Sequence, residues 1–293
     1  MNTAPVPFAP RRIGLVVKPS SADAVSLGRR ILDEVTRRGL VGVVDAESAS
    51  SVAAPAGPPR SELGREVDVV LVLGGDGTFL SVTRSCPTST PVAGINLGTL
   101  GFLTEHSPEG ALALLDEIIS GHVHIEERAR LRVRVEGDGA PRDYVVLNDA
   151  VIHKATLARI LTICVEVDGE FLSRFRSDGL IIATPTGSTA YNLSAGGPLV
   201  HPRLAALLIT PICPHTLSHR PLAIPDALRT AVWVEPGEAK VYLTLDGQVG
   251  FPFTPDMKVV VGPAADPLSV ITDPAGSFFS ILHRKLKWGD RES

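Results

Sequence analysis

A glycine-rich segment that carries a single carboxylate offers the clearest chemistry in this sequence. The segment GGDGT, residues 74–78, follows an apolar run at 71–73 and precedes an expected helix start at Phe79. Glycines let backbone N–H groups approach an anion, and a helix N-terminus favours negative charge. The pattern predicts a phosphate-binding loop with Asp76 at the carboxyl end of a parallel strand. The residues predicted to line it are Gly74, Gly75, Gly77 and Thr78.

Other interpretations of this loop are narrower. Asp76 could simply cap the following helix, as single acids in such turns often do. The loop is not a Walker A motif, because no Gly-Lys-Ser/Thr follows, and the dinucleotide fingerprint G-x-G-x-x-G fails at Leu80. Three glycines around one acid exceed what a cap needs. A nucleotide site of a different kind is therefore favoured.

A second segment, DGLIIATPTGSTAYNLSAGGP at residues 178–198, joins an apolar strand to a run of small and hydroxyl residues. Such residues let backbone and hydroxyl groups crowd a flat or phosphorylated ligand, and Tyr191 could stack on it or hydrogen-bond to it. Close helix packing with Ser and Thr as caps is an equal alternative. The stretch TGSTA lacks the first glycine of a nucleophile elbow, which argues against a serine hydrolase.

Two shorter motifs supply polar groups to strand ends. Asn148 and Asp149 pair an amide with a carboxylate, which suits ribose hydroxyls, although a β-bulge or turn explains them equally well. The stretch LDGQ, which ends at Gln248, is first of all a two-residue hairpin turn. The eight histidines show no metal-ligand spacing, so the sequence predicts no protein-bound metal site.

The order of these segments predicts two domains of different secondary-structure class. Short β-branched runs alternate with helical patterns from Ile13 to about Pro91, which is typical of a parallel α/β sheet. Within this region Ser107, Pro108 and Gly121 are expected to start and stop a helix, and the Pro-rich residues 48–60 are expected to form a mobile surface loop.

Strands separated by turns dominate the later part of the chain. We expect an α/β N-terminal domain at 1–121 and a β-rich, antiparallel C-terminal domain at 122–262. Residues 263–293, with their amphipathic helix, are expected to return to the first domain.

Composition excludes several classes of protein. The 293 residues are 44% hydrophobic and carry a formal charge of −4, so we expect neither a nucleic-acid nor a membrane partner. The N-terminus fits neither a signal peptide nor a membrane span. The three cysteines are interpreted as buried thiols in a reducing compartment, which predicts a cytoplasmic location.

Taken in order, the motifs resemble those of the NAD kinase family. The resemblance is carried by GGDGTFL, INLGTLGFLTE, LNDAVI, SDGLIIATPTGSTAYNLSAGGPLVHP, PICPHTLSHRPLAIP and LDGQ, which are distributed over residues 71–248. GGDG alone is shared with phosphofructokinases and with diacylglycerol and sphingosine kinases. The long central motif narrows the resemblance to NAD kinases.

The resemblance implies phosphorylation of the adenosine 2′-hydroxyl of NAD by ATP with Mg²⁺ or another divalent cation. Asp76 resembles the catalytic proton acceptor, and Asn148 with Asp149 resembles the ribose-binding pair, where the family more often has Glu in second place. A further set falls where the family contacts NAD or a neighbouring subunit: Arg159, Arg176, Asp178, Thr189, Ala190, Tyr191, Asn192, Leu193, Ser194 and Gln248.

The family builds its NAD pocket partly across a subunit interface, so a homo-oligomer, dimer or tetramer, is implied. Two alternatives stay open at this point: a lipid kinase of the same superfamily, and a non-catalytic NAD(H)-binding module. A lipid kinase would leave Asn148 and Asp149 without a role, and a pure binding module would gain little from Asp76 beside phosphates.

Overall fold

The computed structural model describes residues 8–98, 101–137, 139–155, 160–216, 218–237, 240–274 and 276–287. The strands are β1 (Arg12–Val17), β2 (Val41–Val44), β3 (Val69–Gly74), β4 (Val92–Asn96), β5 (His124–Arg128), β6 (Leu131–Glu136), β7 (Arg142–Val146), β8 (Asp149–Lys154), β9 (Leu161–Val167), β10 (Glu170–Ser177), β11 (Gly179–Ala183), β12 (Ala206–Ile212), β13 (Leu222–Pro225), β14 (Thr230–Val234), β15 (Val241–Leu245), β16 (Val249–Phe253), β17 (Lys258–Pro263) and β18 (Leu268–Thr272). The helices are α1 (Ala22–Arg37), α2 (Ala46–Val52), α3 (Arg60–Glu66), α4 (Asp76–Thr83), α5 (Ala111–Ser120), α6 (Tyr191–Ser194) and α7 (Phe278–Leu286), with a 3₁₀ turn at Thr186–Thr189.

The described chain forms two compact units. The first comprises the residues up to Glu127 and those from Leu268 onward, and the second comprises Arg128–Pro267. The expected combination of an α/β N-terminal part with a β-rich, antiparallel C-terminal part is confirmed. The expected return of the C-terminal helix is confirmed as well, because α7 belongs to the first unit.

The first unit is built on a six-stranded sheet in the order β2-β1-β3-β4-β18-β5. The pairs β2/β1, β1/β3, β3/β4 and β4/β18 are all parallel. All six residues of β3 are buried, as expected for a central strand with helices on both faces. The carboxyl ends of β1, β3 and β4 therefore lie side by side at one edge of the sheet.

The second unit contains two antiparallel six-stranded sheets, ordered β10-β9-β14-β17-β6-β7 and β13-β12-β11-β8-β15-β16. Alternating residues of both sheets form one apolar core, which includes Val133, Ile163, Ile182, Leu207 and Leu243. Strand β8 lies between β11 and β15, so its first residue, Asp149, starts a central strand of its sheet.

Two local expectations are corrected by the structure. Residues 46–52 form helix α2, so the Pro-rich stretch is not one continuous loop. Ser48 explains the helix, because its buried Oγ accepts a hydrogen bond from Val17 N at 2.9 Å and donates to Val17 O at 3.0 Å. Helix α5 begins at Ala111 rather than at Pro108, because Ser107 instead caps a preceding turn by accepting from Gly110 N.

Cysteine burial also departs in part from expectation. Cys86 and Cys164 are buried, but Cys213 is exposed just after the end of β12, where its backbone has a positive φ of 45°. Within the part of the chain that the structure describes, no helix is both long and apolar enough to cross a membrane.

Candidate active site

The glycine-rich segment at residues 74–78, called the glycine loop below, belongs to the first unit. It lies at the middle of the carboxyl edge of the sheet. Gly75 is the N-cap of α4 and supplies no side-chain capping bond, and Asp76 is the first residue of the helix. The first N–H groups of a helix have no acceptor within it. Because β3 has parallel neighbours on both sides, the loop occupies the position where open α/β sheets bind ligands.

The three loop glycines differ in what a side chain would meet. A Cβ on Gly74 would lie 2.7 Å from Thr78 Oγ1, so the protein itself excludes a larger residue there. A Cβ on Gly75 or Gly77 would meet no protein atom within 4 Å, and neither residue has a positive φ. Protein packing and backbone conformation therefore do not require glycine at these two positions, which favours space kept clear for a ligand.

The carboxylate of Asp76 holds a neighbouring loop of the same unit. Its Oδ1 accepts hydrogen bonds from Leu103 N at 3.1 Å, Thr104 N at 3.2 Å and Thr104 Oγ1 at 3.1 Å. Among the described residues its Oδ2 accepts one bond, from Phe102 N at 2.9 Å. Asp76 thus binds this loop instead of capping α4, and the alternative interpretation as a helix cap is wrong.

The two oxygens of Asp76 are used unequally. A carboxylate offers about four lone-pair sites in all, so Oδ1 with three donors is saturated, whereas Oδ2 has capacity for another donor. Gly101 belongs to the same arrangement, because a Cβ there would lie 2.0 Å from Asp76 Oδ1. The geometry leaves Oδ2 as the atom that can accept a substrate hydroxyl.

A cavity of about 620 Å³ lies in the first unit at the carboxyl end of β4. It is lined by Asn96 at the end of that strand, by Leu97 and Gly98 after it, and by Leu27 and Arg30 of α1. Its volume is within the range of small-ligand sites.

In the second unit, Asn148 and Asp149 are buried at the start of β8 and are held by a third residue, Asp246. The Asp246 carboxylate accepts from the backbone N–H groups of Leu147 at 3.0 Å, Asn148 at 2.7 Å and Asp149 at 3.1 Å. These bonds fix the backbone of Asn148 and Asp149 and thereby restrict the positions of their side chains.

The side chains of this pair have unmet polar capacity. Asn148 Oδ1 is buried without a hydrogen-bond partner among the described residues, and so is the hydroxyl of Thr186. Burial, with the adjacent negative charge of Asp246, raises the pKa of Asp149 to about 7. Buried polar groups normally have partners, so an orphaned amide oxygen beside a poorly solvated carboxyl indicates a ligand with hydroxyl groups.

The central motif brings a compact turn against this pair. A Cβ on Gly187 would lie 2.1 Å from Asn148 O, so only glycine allows the 3₁₀ turn to approach so closely. Thr184 secures the approach, because its Oγ1 donates to Leu147 O at 2.6 Å and accepts from Gly187 N at 2.9 Å. The hydroxyls here position the backbone, which partly bears out the packing alternative.

The candidate residues that follow the turn face different surroundings. Tyr191 is 46% exposed, and its pKa is raised by burial of the ring, by Cys213 and by the carboxylates of Asp149 and Asp178. Thr189, Ala190 and Leu193 are half-buried, and Ser194 is exposed. An exposed phenol beside two carboxyl groups is suited to stack on a ligand ring.

Asn192 is different from its neighbours, because it is fully buried and its polar atoms are used within the protein. Its Nδ2 donates to Ser188 O at 3.2 Å and Pro198 O at 3.0 Å, and its Oδ1 accepts from Thr210 Oγ1 at 2.6 Å. These contacts favour a role in holding α6 over direct contact with a ligand.

The other candidates are placed as follows. Asp178 forms an ion pair with Lys154 at 2.7 Å, and Arg176 is exposed at the end of β10. Gln248 is exposed after a turn whose central residues, Asp246 and Gly247, both have positive φ, and its N–H donates to Leu245 O. That pattern matches a type I′ hairpin turn. Arg159 lies outside the described residues.

Sequence reasoning missed several residues of these sites, chiefly Asp246, Thr104 and Lys154. Asp246 stood inside the LDGQ motif, where its position before Gly247 suggested only a turn. Its carboxylate could have been suspected, since a buried Asp in a turn commonly binds nearby backbone N–H groups. No local signal pointed to Thr104 or Lys154, because both act on residues distant in sequence or on another strand.

Comparison with known proteins identifies the family. The model of the ATP-NAD kinase N-terminal domain matches residues 13–123, and that of the C-terminal domain matches residues 147–272. An NAD kinase of Geotalea daltonii is 38% identical over 96% of this chain and 100% of the relative. One of Syntrophobacter fumaroxidans is 43% identical over 95% and 99%, respectively. The chain belongs to the NAD kinase family.

Solved structures of NAD kinases share the same fold. Yeast NADH kinase in complex with NADH has a TM-score of 0.87 at 25% identity, over 97% of this chain and 89% of that one. An NAD kinase from Archaeoglobus fulgidus in complex with ATP has a TM-score of 0.76 at 26% identity, over 94% and 98%. The enzyme described here is an NAD kinase, a phosphotransferase with an alcohol acceptor, and nothing favours a lipid kinase or a non-catalytic module.

Proposed function

We propose that this NAD kinase uses Asp76 as the proton acceptor when it transfers the γ-phosphoryl group of ATP to the adenosine 2′-hydroxyl of NAD. The observation that supports this role is the unequal use of the carboxylate, in which Oδ2 has one donor and Oδ1 has three. A sugar hydroxyl is a poor nucleophile at neutral pH, so a positioned carboxylate assists its attack.

The 2′-oxygen forms a bond to the γ-phosphorus, the bond from that phosphorus to the β–γ bridging oxygen breaks, and ADP leaves with the electron pair. The hydroxyl proton passes to Asp76 Oδ2. The glycines at 74, 75 and 77 and Thr78 hold the phosphates, for which the open space at Gly75 and Gly77 is the support.

Asn148 and Asp149 are proposed to bind the ribose that carries the reacting hydroxyl. Their support is the orphaned Asn148 Oδ1 and the raised pKa of Asp149, since ribose hydroxyls can donate to both side chains. The remaining dinucleotide contacts are proposed from the family pattern: Arg159, Arg176, Asp178, Thr189, Ala190, Tyr191, Asn192 through its support of α6, Leu193, Ser194 and Gln248.

The divalent cation is proposed to enter with the donor, as MgATP. Among the described residues, no cluster of three or more His, Cys, Asp or Glu side chains could hold a metal ion by itself. Mg²⁺ commonly binds substrate phosphates and keeps several waters, with only one or two protein carboxylates. A cation that binds together with ATP therefore fits the few metal-ligating side chains that are present. Its positive charge would offset the repulsion between Asp76 and the phosphates.

We further propose a cytoplasmic homo-oligomer, dimer or tetramer. The three free cysteines support a reducing compartment. Exposed apolar side chains on the edge strand β10, Phe171 and Leu172, support self-association, because unpaired edges of this kind are normally covered.

The activity is tested by incubating purified protein with NAD and MgATP and detecting NADP with an NADP-specific dehydrogenase. An NAD analogue that lacks the adenosine 2′-hydroxyl serves as the matched control and should give no transfer. Formation of a phosphorylated product from NAD but not from the analogue supports the proposal. Binding of NAD without any turnover under saturating MgATP would show that the chain is a binding module.

A further inference from the structure

Lys18 directly follows β1 and lies beside the glycine loop. Its backbone N–H donates to Leu73 O at 2.9 Å, which continues the pairing of β1 with β3 by one residue. A Cβ placed on Gly74 would lie 3.3 Å from Lys18 Cβ and 2.7 Å from Thr78 Oγ1. Gly74 is thus flanked by the lysine on one side and by the threonine on the other.

Both flanking side chains end in unused polar groups. Lys18 is exposed, Thr78 is half-buried, and neither the ammonium nor the hydroxyl has a hydrogen-bond or ionic partner among the residues that the structure describes. The residues just after β1, β3 and β4, at 18–21, 75–78 and 97–98, include no other cation than Lys18. Among these strand-end residues Lys18 alone therefore carries positive charge beside the loop, whereas Arg30 of α1 lines the cavity at the end of β4.

A phosphate-binding loop of the Walker type combines glycines and helix N–H groups with a lysine for the β- and γ-phosphates and a Ser/Thr hydroxyl. This sequence has no Gly-Lys-Ser/Thr motif, but the fold brings the same set of groups together from two strands. The glycines and Thr78 come from the end of β3 and the first turn of α4, and the lysine directly follows β1.

We infer that the Lys18 ammonium binds the β- and γ-phosphate oxygens of ATP. Lys18 would thereby determine specificity for a phosphoryl donor that carries several linked phosphate groups. The inference rests on the proposed function, which places the donor phosphates at the glycine loop. A lysine ammonium on a flexible four-carbon stem can follow the phosphates as the γ-group moves away and can offset the charge that develops on ADP.

The test compares Lys18→Ala and Lys18→Arg with Arg65→Ala. Arg65 is an exposed cation in the last turn of α3, just before β3 begins, and so lies toward the opposite edge of the same sheet. Lys18→Ala should lower kcat/KM for ATP by roughly 10- to 100-fold, the worth of one charged hydrogen bond. Lys18→Arg should lose less, and Arg65→Ala should stay within about twofold.

A second readout separates a phosphate contact from a general structural effect. ADP and adenosine are titrated by calorimetry into each variant, and melting temperatures are compared. We expect Lys18→Ala to weaken the affinity for ADP at least tenfold and to leave the affinity for adenosine unchanged. Its KM for NAD and its melting temperature should equal those of the parent protein. Unchanged ADP affinity, or equal weakening of ADP and adenosine, would overturn the inference.

Failure of the proposed function gives a different result. If the parent protein formed no NADP, the catalytic proposal would fail, whereas the ADP and adenosine titrations would still decide whether Lys18 binds phosphates. If the parent is active and Lys18→Ala keeps kcat/KM for ATP within twofold, the lysine inference alone is overturned.

Discussion

Among single residues, Asp76 combines two roles, holding a loop and accepting a proton, and each of its carboxylate oxygens serves mainly one of them. Oδ1 anchors the loop at 102–104 through three donors, and Oδ2 has one donor and room for a second. The same carboxylate can therefore order the loop and accept a proton. Any substitution at Asp76 changes both tasks, so its effect needs a control that changes only the loop.

Asp76→Asn should lower turnover by roughly 10²- to 10⁴-fold, the usual worth of general-base catalysis, with little change in NAD affinity. It should also cost about 1–3 kcal/mol of stability, because the new amide N–H₂ must face at least one backbone N–H that now has an acceptor. Steady-state kinetics, NAD titration and thermal unfolding check these effects.

Thr104→Val is the control, since it removes one donor to Asp76 Oδ1 and keeps the carboxylate. Thr104 is fully buried and also accepts from Asn96 Nδ2 at 3.1 Å, so a loss of stability is expected here too. Turnover should fall by less than about tenfold. Equal losses of turnover in Thr104→Val and Asp76→Asn would show that Asp76 acts only by anchoring the loop.

Asp149 provides a prediction about pH. Its pKa is raised by burial and by Asp246 to about 7, against 3.8 for an ordinary carboxyl, so between about pH 4 and 7 the folded protein binds a proton that the unfolded chain has lost. The stability that this proton contributes is complete below about pH 4 and is lost as the pH rises through about 7. Asp149→Asn should therefore raise the melting temperature at pH 8 more than at pH 5.

The same titration should affect substrate binding. A ribose hydroxyl donates better to the ionised carboxylate, so NAD affinity of the parent should increase from pH 6 to pH 8, with proton release that calorimetry in buffers of different ionisation enthalpy can measure. Asp149→Asn should abolish this dependence. A parent affinity that stays flat across this range would refute the assignment of Asp149 as the ribose acceptor.

At the scale of elements, the glycine loop and the loop that it faces use glycine for opposite reasons. Gly77→Ala adds a Cβ that meets no protein atom and improves helix propensity by up to about 1 kcal/mol, so the melting temperature should not fall. The KM for ATP should rise at least tenfold, because the methyl group enters the space proposed for phosphates.

Gly101→Ala is the matched comparison. Its Cβ would lie 2.0 Å from Asp76 Oδ1, so the loop or the carboxylate must move, and both stability and turnover should fall. The two variants are compared by thermal unfolding and by kinetics with ATP varied. If Gly77→Ala bound ATP normally, the open space at Gly77 would not be a phosphate site.

Elements with a strong local pattern could be predicted from the sequence, and elements set by distant partners could not. The apolar strand β3, its glycine turn and the helix stop at Gly121 each follow from local residue types. Helix α2 was missed, because the side chain of Ser48 is satisfied by Val17, thirty-one residues earlier. The start of α5 was placed too early for a related reason, since Ser107 caps a turn and not the helix itself.

The same distinction applies to the candidate site. Motif residues such as Asp76, Asn148 and Asp149 stand out in sequence because their types are unusual at strand ends. Their supporting partners do not stand out, because Asp246 binds the Asn148 backbone from 98 positions away and Thr104 binds Asp76 across 28. Sequence reasoning therefore identified groups that could do chemistry but not the residues that position them.

At the scale of the whole molecule, the described surface shows where copies of the chain could associate. Strand β10 is at one edge of its sheet, and Phe171 on it is 53% exposed, with the guanidinium of Arg174 5.7 Å from the ring centre. An edge strand with exposed apolar residues can template pairing with another chain. Closed two-fold dimers are the commonest homo-oligomers of soluble proteins.

We therefore predict that sedimentation gives a mass of at least twice the 31.0 kDa of one chain at assay concentration. Phe171→Glu should weaken association at least tenfold by burying a charge at the edge, and activity should fall at dilutions where the variant dissociates. Phe279→Glu is the control, because Phe279 is 68% exposed on helix α7 and lies on no sheet edge, so its substitution should leave the mass unchanged. A parent chain that sediments as a fully active monomer would remove the oligomer from the account, and an unchanged mass for Phe171→Glu would place the interface elsewhere than on β10.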